Sequence, residues 1–115
     1  MPVLFLLLFS MAADPAQEIE NLLSTQAAAW NRGDIPGFMQ AYEKSAETTY
    51  AGSSGVTKGY ANVLARYQKR YSTAAQMGML VFSDLNVRML GDTRAFATGR
   101  FRLQRAPEAG GRAEG

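Results

Sequence analysis

Tyr42, Tyr50, Glu47 and Asp84 are the residues of this 115-residue chain whose side chains could serve a reaction or hold a polar ligand atom. A phenol ionises near pH 10, so at neutral pH the two tyrosines are hydrogen-bond donors and poor bases. Proton transfer would fall to Glu47 or Asp84. Asp84 lies on the strand face opposite Val81 and Leu85, which favours a solvated position, and Glu47 sits near a strand start. The chain contains no His and no Cys. That excludes disulfides, thiolate nucleophiles, a Ser-His-Asp triad, a His base and the usual zinc ligand sets. No metal and no cofactor is expected. Gly52-Ser53-Ser54-Gly55 has small residues suited to a mobile rim, but no Gly-Lys-Ser/Thr follows, so it is not a phosphate-binding loop.

Positioning these groups requires a folded domain, and the composition supplies one. Apolar residues make up 47% of the chain and charged residues 19%, a balance that builds a core rather than a disordered tail. Charge is split along the chain. Residues 1–57 carry two basic and six acidic side chains, and residues 58–115 carry ten and four. The later basic residues alternate along strands instead of clustering, which reads as a solvated sheet face and not as a nucleic-acid site.

Residues 3–9, Val-Leu-Phe-Leu-Leu-Leu-Phe, are followed by Ser10-Met11-Ala12-Ala13. A short apolar run before small residues reads as a secretory leader, although no Lys or Arg precedes it. The expectation is a signal peptide at 1–13, a mature start near Asp14, and a secreted or periplasmic protein. The run is too short for a stable membrane span.

From Asp14 the helical signals are clear. Asp14 suits an N-cap and Pro15 a first helical position. Ile19, Leu22, Leu23, Ala27 and Trp30 make one apolar stripe, and Gly33 suits a stop. Asp34 can cap a shorter helix carrying Ile35, Phe38, Met39 and Tyr42. Residues 47–51 are β-prone, the Gly-Ser cluster breaks the chain, and a third helix is expected over about 60–73. Its apolar face is Tyr60, Val63, Leu64, Tyr67 and Tyr71; Arg66, Lys69 and Arg70 form its polar face.

Two long alternating stretches follow, 79–90 and 93–105. Val81, Ser83, Leu85, Val87 and Met89 share one face of the first. Ala95, Ala97, Gly99, Phe101 and Leu103 share one face of the second, opposite Arg94, Phe96, Thr98, Arg100 and Arg102. A one-residue slip exchanges the faces, so the register matters. A three-residue loop, Leu90-Gly91-Asp92, pairs Met89 with Thr93, Val87 with Ala95 and Leu85 with Ala97. An odd-length loop or a bulge is therefore predicted. The tail from Ala106 reads as a turn.

Helices first and long antiparallel strands after them make an α+β fold. The stretch Ala29-Trp30-Asn31-Arg32-Gly33-Asp34, with Phe38 and Tyr42, resembles the opening of SnoaL-like domains of the nuclear-transport-factor-2-like superfamily, including the SgcJ/EcaC group and the steroid Δ-isomerases. Gly59 before the third helix and Gly91-Asp92-Thr93-Arg94-Ala95 before the last strand match as well. The resemblance spans about 16–115. It implies N-terminal helices packed on a curved antiparallel sheet, a cystatin-like cone enclosing a pocket. Trp30, Phe38, Tyr42, Tyr50, Val63, Tyr67, Phe82 and Phe101 would lie near its wall. Because the family fold continues into further strands, it also implies a domain at 14–115 with its last strands missing and an open strand edge.

In the steroid isomerases a carboxylate at the end of the first strand moves a proton, aided by a helix tyrosine and a protonated acid. The resemblance places Tyr50 at the carboxylate position and Gln26 at the tyrosine position, and the third position falls beyond Gly115. Three functions stay open on these residues. One is binding of a small apolar ligand; another is isomerase- or cyclase-type catalysis by a pocket acid with tyrosine donors. The third is a dimerising module that pairs through the sheet around Phe96.

Overall fold

The computed structural model describes residues 14–115, so the leader expected at 1–13 lies outside the described residues. Among them, no helix is long and apolar enough to cross a membrane. Helix α1 runs Pro15–Asn31, with Pro in its first turn. Asp14 holds the N-cap position, but its side chain makes no capping hydrogen bond, contrary to expectation. Gly33, at φ +80°, turns the chain out of α1 in a conformation that a Cβ would strain. Asp34 then caps α2, Ile35–Met39, by accepting from the Gly37 N–H at 2.9 Å.

Strand β1, Thr49–Gly52, is joined to β2, Gly55–Lys58, as an antiparallel hairpin. The sequence reading missed β2. Gly52 and Gly55, taken there as breakers, are cross-strand partners that close a two-residue Ser53-Ser54 connection. Helix α3 is Tyr60–Arg70, shorter than expected, and a one-turn helix α4, Ala74–Met77, follows. Lys69 and Arg70 fall in the last turn of α3, where cations suit the helix dipole.

Strands β3, Met79–Met89, and β4, Ala95–Gln104, form the long hairpin, and α1 packs on β3. Met89 pairs with Ala95 and Val87 with Ala97, with Leu90 N–H bonded to Arg94 O. The connection is thus odd in length, as predicted, but five residues long. The pairing is two residues away from the expected one, so the faces match although the partners differ.

Between Ser83 and Asn86 the ladder shifts by one residue. Asp84 there has φ +51°, a left-handed conformation that Asp tolerates better than most residues. The bulge exchanges the faces of β3. Leu80 and Phe82, paired with Leu103 and Phe101, look toward the helices. Val81 and Ser83 lie on the opposite face from Leu80 and Phe82, which corrects the expectation that they share a face with Leu85 and Val87. Gly99 sits opposite the bulge, where a Cβ would come within 2.7 Å of Leu85 Cδ2.

The tail is more than a turn. A 3-10 turn at Pro107–Ala109 reverses the chain, and β5, Ala113–Glu114, pairs with Leu103 and Arg102 of β4. Arg105 fastens it, donating from Nε to Gly111 O at 2.8 Å and from Nη1 to Gln76 O at 3.3 Å. The open edge expected on β4 is therefore covered at Phe101–Leu103. Among the described residues, Ala95–Arg100 have a strand neighbour on the β3 side alone.

Candidate functional site

The core forms where α1, α2 and α3 meet the end of the sheet that carries Leu80 and Leu103. Met39 and Val63 are fully buried there, with Trp30, Phe38 and Leu103 close behind. Val63 is core and does not line the cavity, which corrects its expected place in the wall.

Each residue of Ala29-Trp30-Asn31-Arg32-Gly33-Asp34 has a structural task. Ala29 is small at a buried crossing. Trp30 donates from Nε1 to Met77 O at 2.8 Å. Asn31 bonds Leu80 twice, donating to its carbonyl at 3.0 Å and accepting from its N–H at 2.7 Å. The Asn31 side chain thereby acts as a strand partner and docks the end of α1 on β3. Arg32 and Asp34 form an ion pair at 3.3 Å beside Gly33.

Above this floor lies a cavity of about 290 Å³. Trp30, Phe38, Tyr42, Tyr50, Tyr67, Phe82 and Phe101 all line it, so the structure brings the seven predicted site residues to one place. Leu23, Gln26, Tyr71, Leu80 and Leu103 complete the lining. Tyr71 was legible as the next turn after Tyr67, but was assigned only to the helix stripe. The aromatic rings meet edge to face, Trp30 with Phe38 at 5.0 Å, Trp30 with Tyr71 at 4.9 Å and Phe38 with Tyr67 at 5.3 Å. Such pairs hold a rigid wall, each worth about 0.5–1.5 kcal/mol beyond area.

The polar equipment of the cavity is tyrosine hydroxyls and the Gln26 side-chain amide. The hydroxyls of Tyr42 and Tyr67 are 3.3 Å apart. Burial pushes both phenols above their ordinary pKa of 10.0, and each is felt by Tyr50 and by the opposing charge of Arg66. Both therefore stay protonated at neutral pH. Arg66, read from sequence as part of the polar face of the third helix, lies 4.0 Å above the Tyr50 ring centre and 5.9 Å from that of Tyr67. No ordinary sequence signal marks this, because the stacking partner comes from β1.

No Asp or Glu lines the cavity among the described residues. Glu47 is exposed and paired with Lys58 at 3.1 Å. Asp84 is exposed and paired with Arg100 at 3.5 Å. The two acids considered as proton carriers thus lie outside the site. Gln26 is buried and spends its amide N–H on Phe38 O at 3.2 Å. Among the described residues, no group of three or more Asp and Glu is placed to hold a metal ion.

The chain is similar to the crystal structure of an NTF-2-like protein of unknown function from Shewanella oneidensis MR-1. The two share 30% sequence identity and superpose with a TM-score of 0.81, over 89% of this chain and 82% of that one. No protein-family model and no curated protein matches the chain.

Proposed function

This chain belongs to the nuclear-transport-factor-2-like family, and from that premise we propose that it binds a small, largely apolar ligand in its aromatic cavity. The observation that carries the reading is a 290 Å³ space walled by aromatic rings, with tyrosine hydroxyls and no carboxylate. A cavity of this kind encloses a compact aromatic or alicyclic molecule and orients it through a few donors. Catalysis by a pocket acid has less support, because Glu47 and Asp84 are engaged at the surface. The apolar run and small residues at 3–13 support an exported protein, which N-terminal sequencing of the mature form tests.

Trp30 is the one tryptophan of the chain and lines the cavity. Its fluorescence is therefore a direct reporter. Titration with 2-acetylnaphthalene, a neutral aromatic ketone, is expected to quench it saturably at one ligand per chain. Tyr50→Phe should weaken that binding. Linear, unsaturable quenching would remove the reading.

A second reading, pairing of two copies through the sheet, is favoured by Phe96, which is 59% exposed and partnered across the ladder with Arg88. Sedimentation of the wild-type chain and of Phe96→Glu tests it. Under this second reading the wild-type chain is a dimer that Phe96→Glu splits with ketone binding intact, and a wild-type chain that sediments as a monomer removes it.

A further inference from the structure

Among the described residues, Arg66 has no partner of opposite charge. It takes part in none of the ion pairs among the described residues, and its Nη1 is shielded from water without a hydrogen-bond acceptor. A guanidinium nitrogen in that state costs free energy, because nothing replaces the water it has lost. Its flat face rests on Tyr50, whose ring also stands 5.7 Å from Tyr67. Tyr67 in turn meets Tyr42 hydroxyl to hydroxyl. Two hydroxyls that share one hydrogen bond spend one of their two protons, which leaves the other free to donate. Tyr42, Tyr50 and Tyr67 line the cavity; Arg66 does not, but it lies over the Tyr50 ring, and among the described residues no acidic side chain lines the cavity to answer its charge.

We propose that the tyrosine end of the cavity holds the carboxylate of an aromatic acid, with Tyr50 and the free proton of the Tyr42–Tyr67 hydroxyl pair donating to it and Arg66 supplying the balancing charge across the Tyr50 ring. The inference rests on the ligand-binding reading above and adds the charge of the ligand. A neutral ketone would use the hydroxyls and leave Arg66 unanswered. A carboxylate would accept from the same hydroxyls in charge-assisted bonds, about twice as strong as neutral ones, and would feel the Arg66 charge across the Tyr50 ring. The ring of the ligand would lie toward Leu23, Phe82 and Phe101.

The test compares 2-naphthoate with 2-acetylnaphthalene, which match in shape and differ in charge, by quenching of Trp30. The wild-type chain is expected to bind the naphthoate roughly tenfold more tightly. Arg66→Gln should erase that preference while leaving the ketone within about twofold. Tyr42→Phe keeps every charge and serves if Arg66→Gln fails to fold; it should weaken the naphthoate about threefold or more. Equal affinity for the two probes in the wild-type chain overturns the inference and leaves the ligand-binding reading standing. Equal loss of both probes in Arg66→Gln also overturns it, since Arg66 would then only prop Tyr50. If neither probe saturates the wild-type chain, the underlying reading fails first.

Discussion

On the near side of the bulge at Asp84, Leu80 and Leu103 are cross-strand partners at 7% and 4% exposure; on the far side, Met89 and Ala95 are partners on that same face and Met89 is 38% exposed. The two halves belong to one hairpin and share one alternating pattern. What separates them is coverage. Trp30 and Asn31 are tied to Met77 and Leu80, so the end of α1 sits over the near half. Every β4 residue from Ala95 to Phe101 is exposed, including those on the inward face. Alternation encodes which side of a strand is apolar, and it says nothing of what lies against that side. Folding stability should therefore reside in the near half, leaving the far half free to change.

The hardest strike against that division is Trp30→Ala. It removes a buried ring, its contacts with Phe38, Tyr67 and Tyr71, and the bond to Met77 O. The expected loss is about 3–5 kcal/mol, read from the denaturant midpoint. A loss below 1 kcal/mol would mean the core is organised elsewhere. Asp84→Val attacks the boundary itself. A β-branched residue at φ +51° should cost about 1–3 kcal/mol. Asp84→Gly should stay within about 1 kcal/mol of wild type, since it gives up only an exposed ion pair. Equal stabilities for the Val and Gly variants would show that the bulge is not held by that conformation.

The boundary also explains what could be read from the chain and what could not. The inward face of β4 was legible because nothing interrupts its alternation from Ala95 to Leu103. That of β3 was half legible, because a single Asp in a left-handed conformation carries no strong sequence mark, yet it turns Val81 outward. Gly99, the small residue that accommodates the bulge, sits on the other strand. The seven predicted cavity residues come from six different elements and the turn after α2, and they meet because α1, α2 and α3 turn their ring-bearing stripes toward the inward face that carries Phe82 and Phe101. The stacking of Arg66 was not legible. Its contact depends on Tyr50 in another element, and helical position alone gives only its place on the polar face. Ala29-Trp30-Asn31-Arg32-Gly33-Asp34 was recognisable, and the structure gives it docking and capping tasks rather than chemistry.

Asn31→Ala isolates the docking. Without the side-chain amide, the N–H and C=O of Leu80 lose their partners on the side facing α1. About 1–2 kcal/mol should disappear, with faster amide exchange at Leu80. Unchanged exchange there would mean α1 is seated by Trp30 alone.

Phe96→Ala, on the far half, is the smallest expected effect. Most of the Phe96 ring is already in water, so its removal should shift stability by less than about 0.5 kcal/mol. The measurement is worth making at two protein concentrations. A loss of 2 kcal/mol or more that grows with concentration would move Phe96 into an interface between copies, because association adds to apparent stability by mass action. A loss of that size at every concentration would mean that Phe96 is packed within the chain's own fold on the face turned away from α1. Either outcome would break the division at Asp84, whereas a null effect at both concentrations keeps the far half as solvated surface.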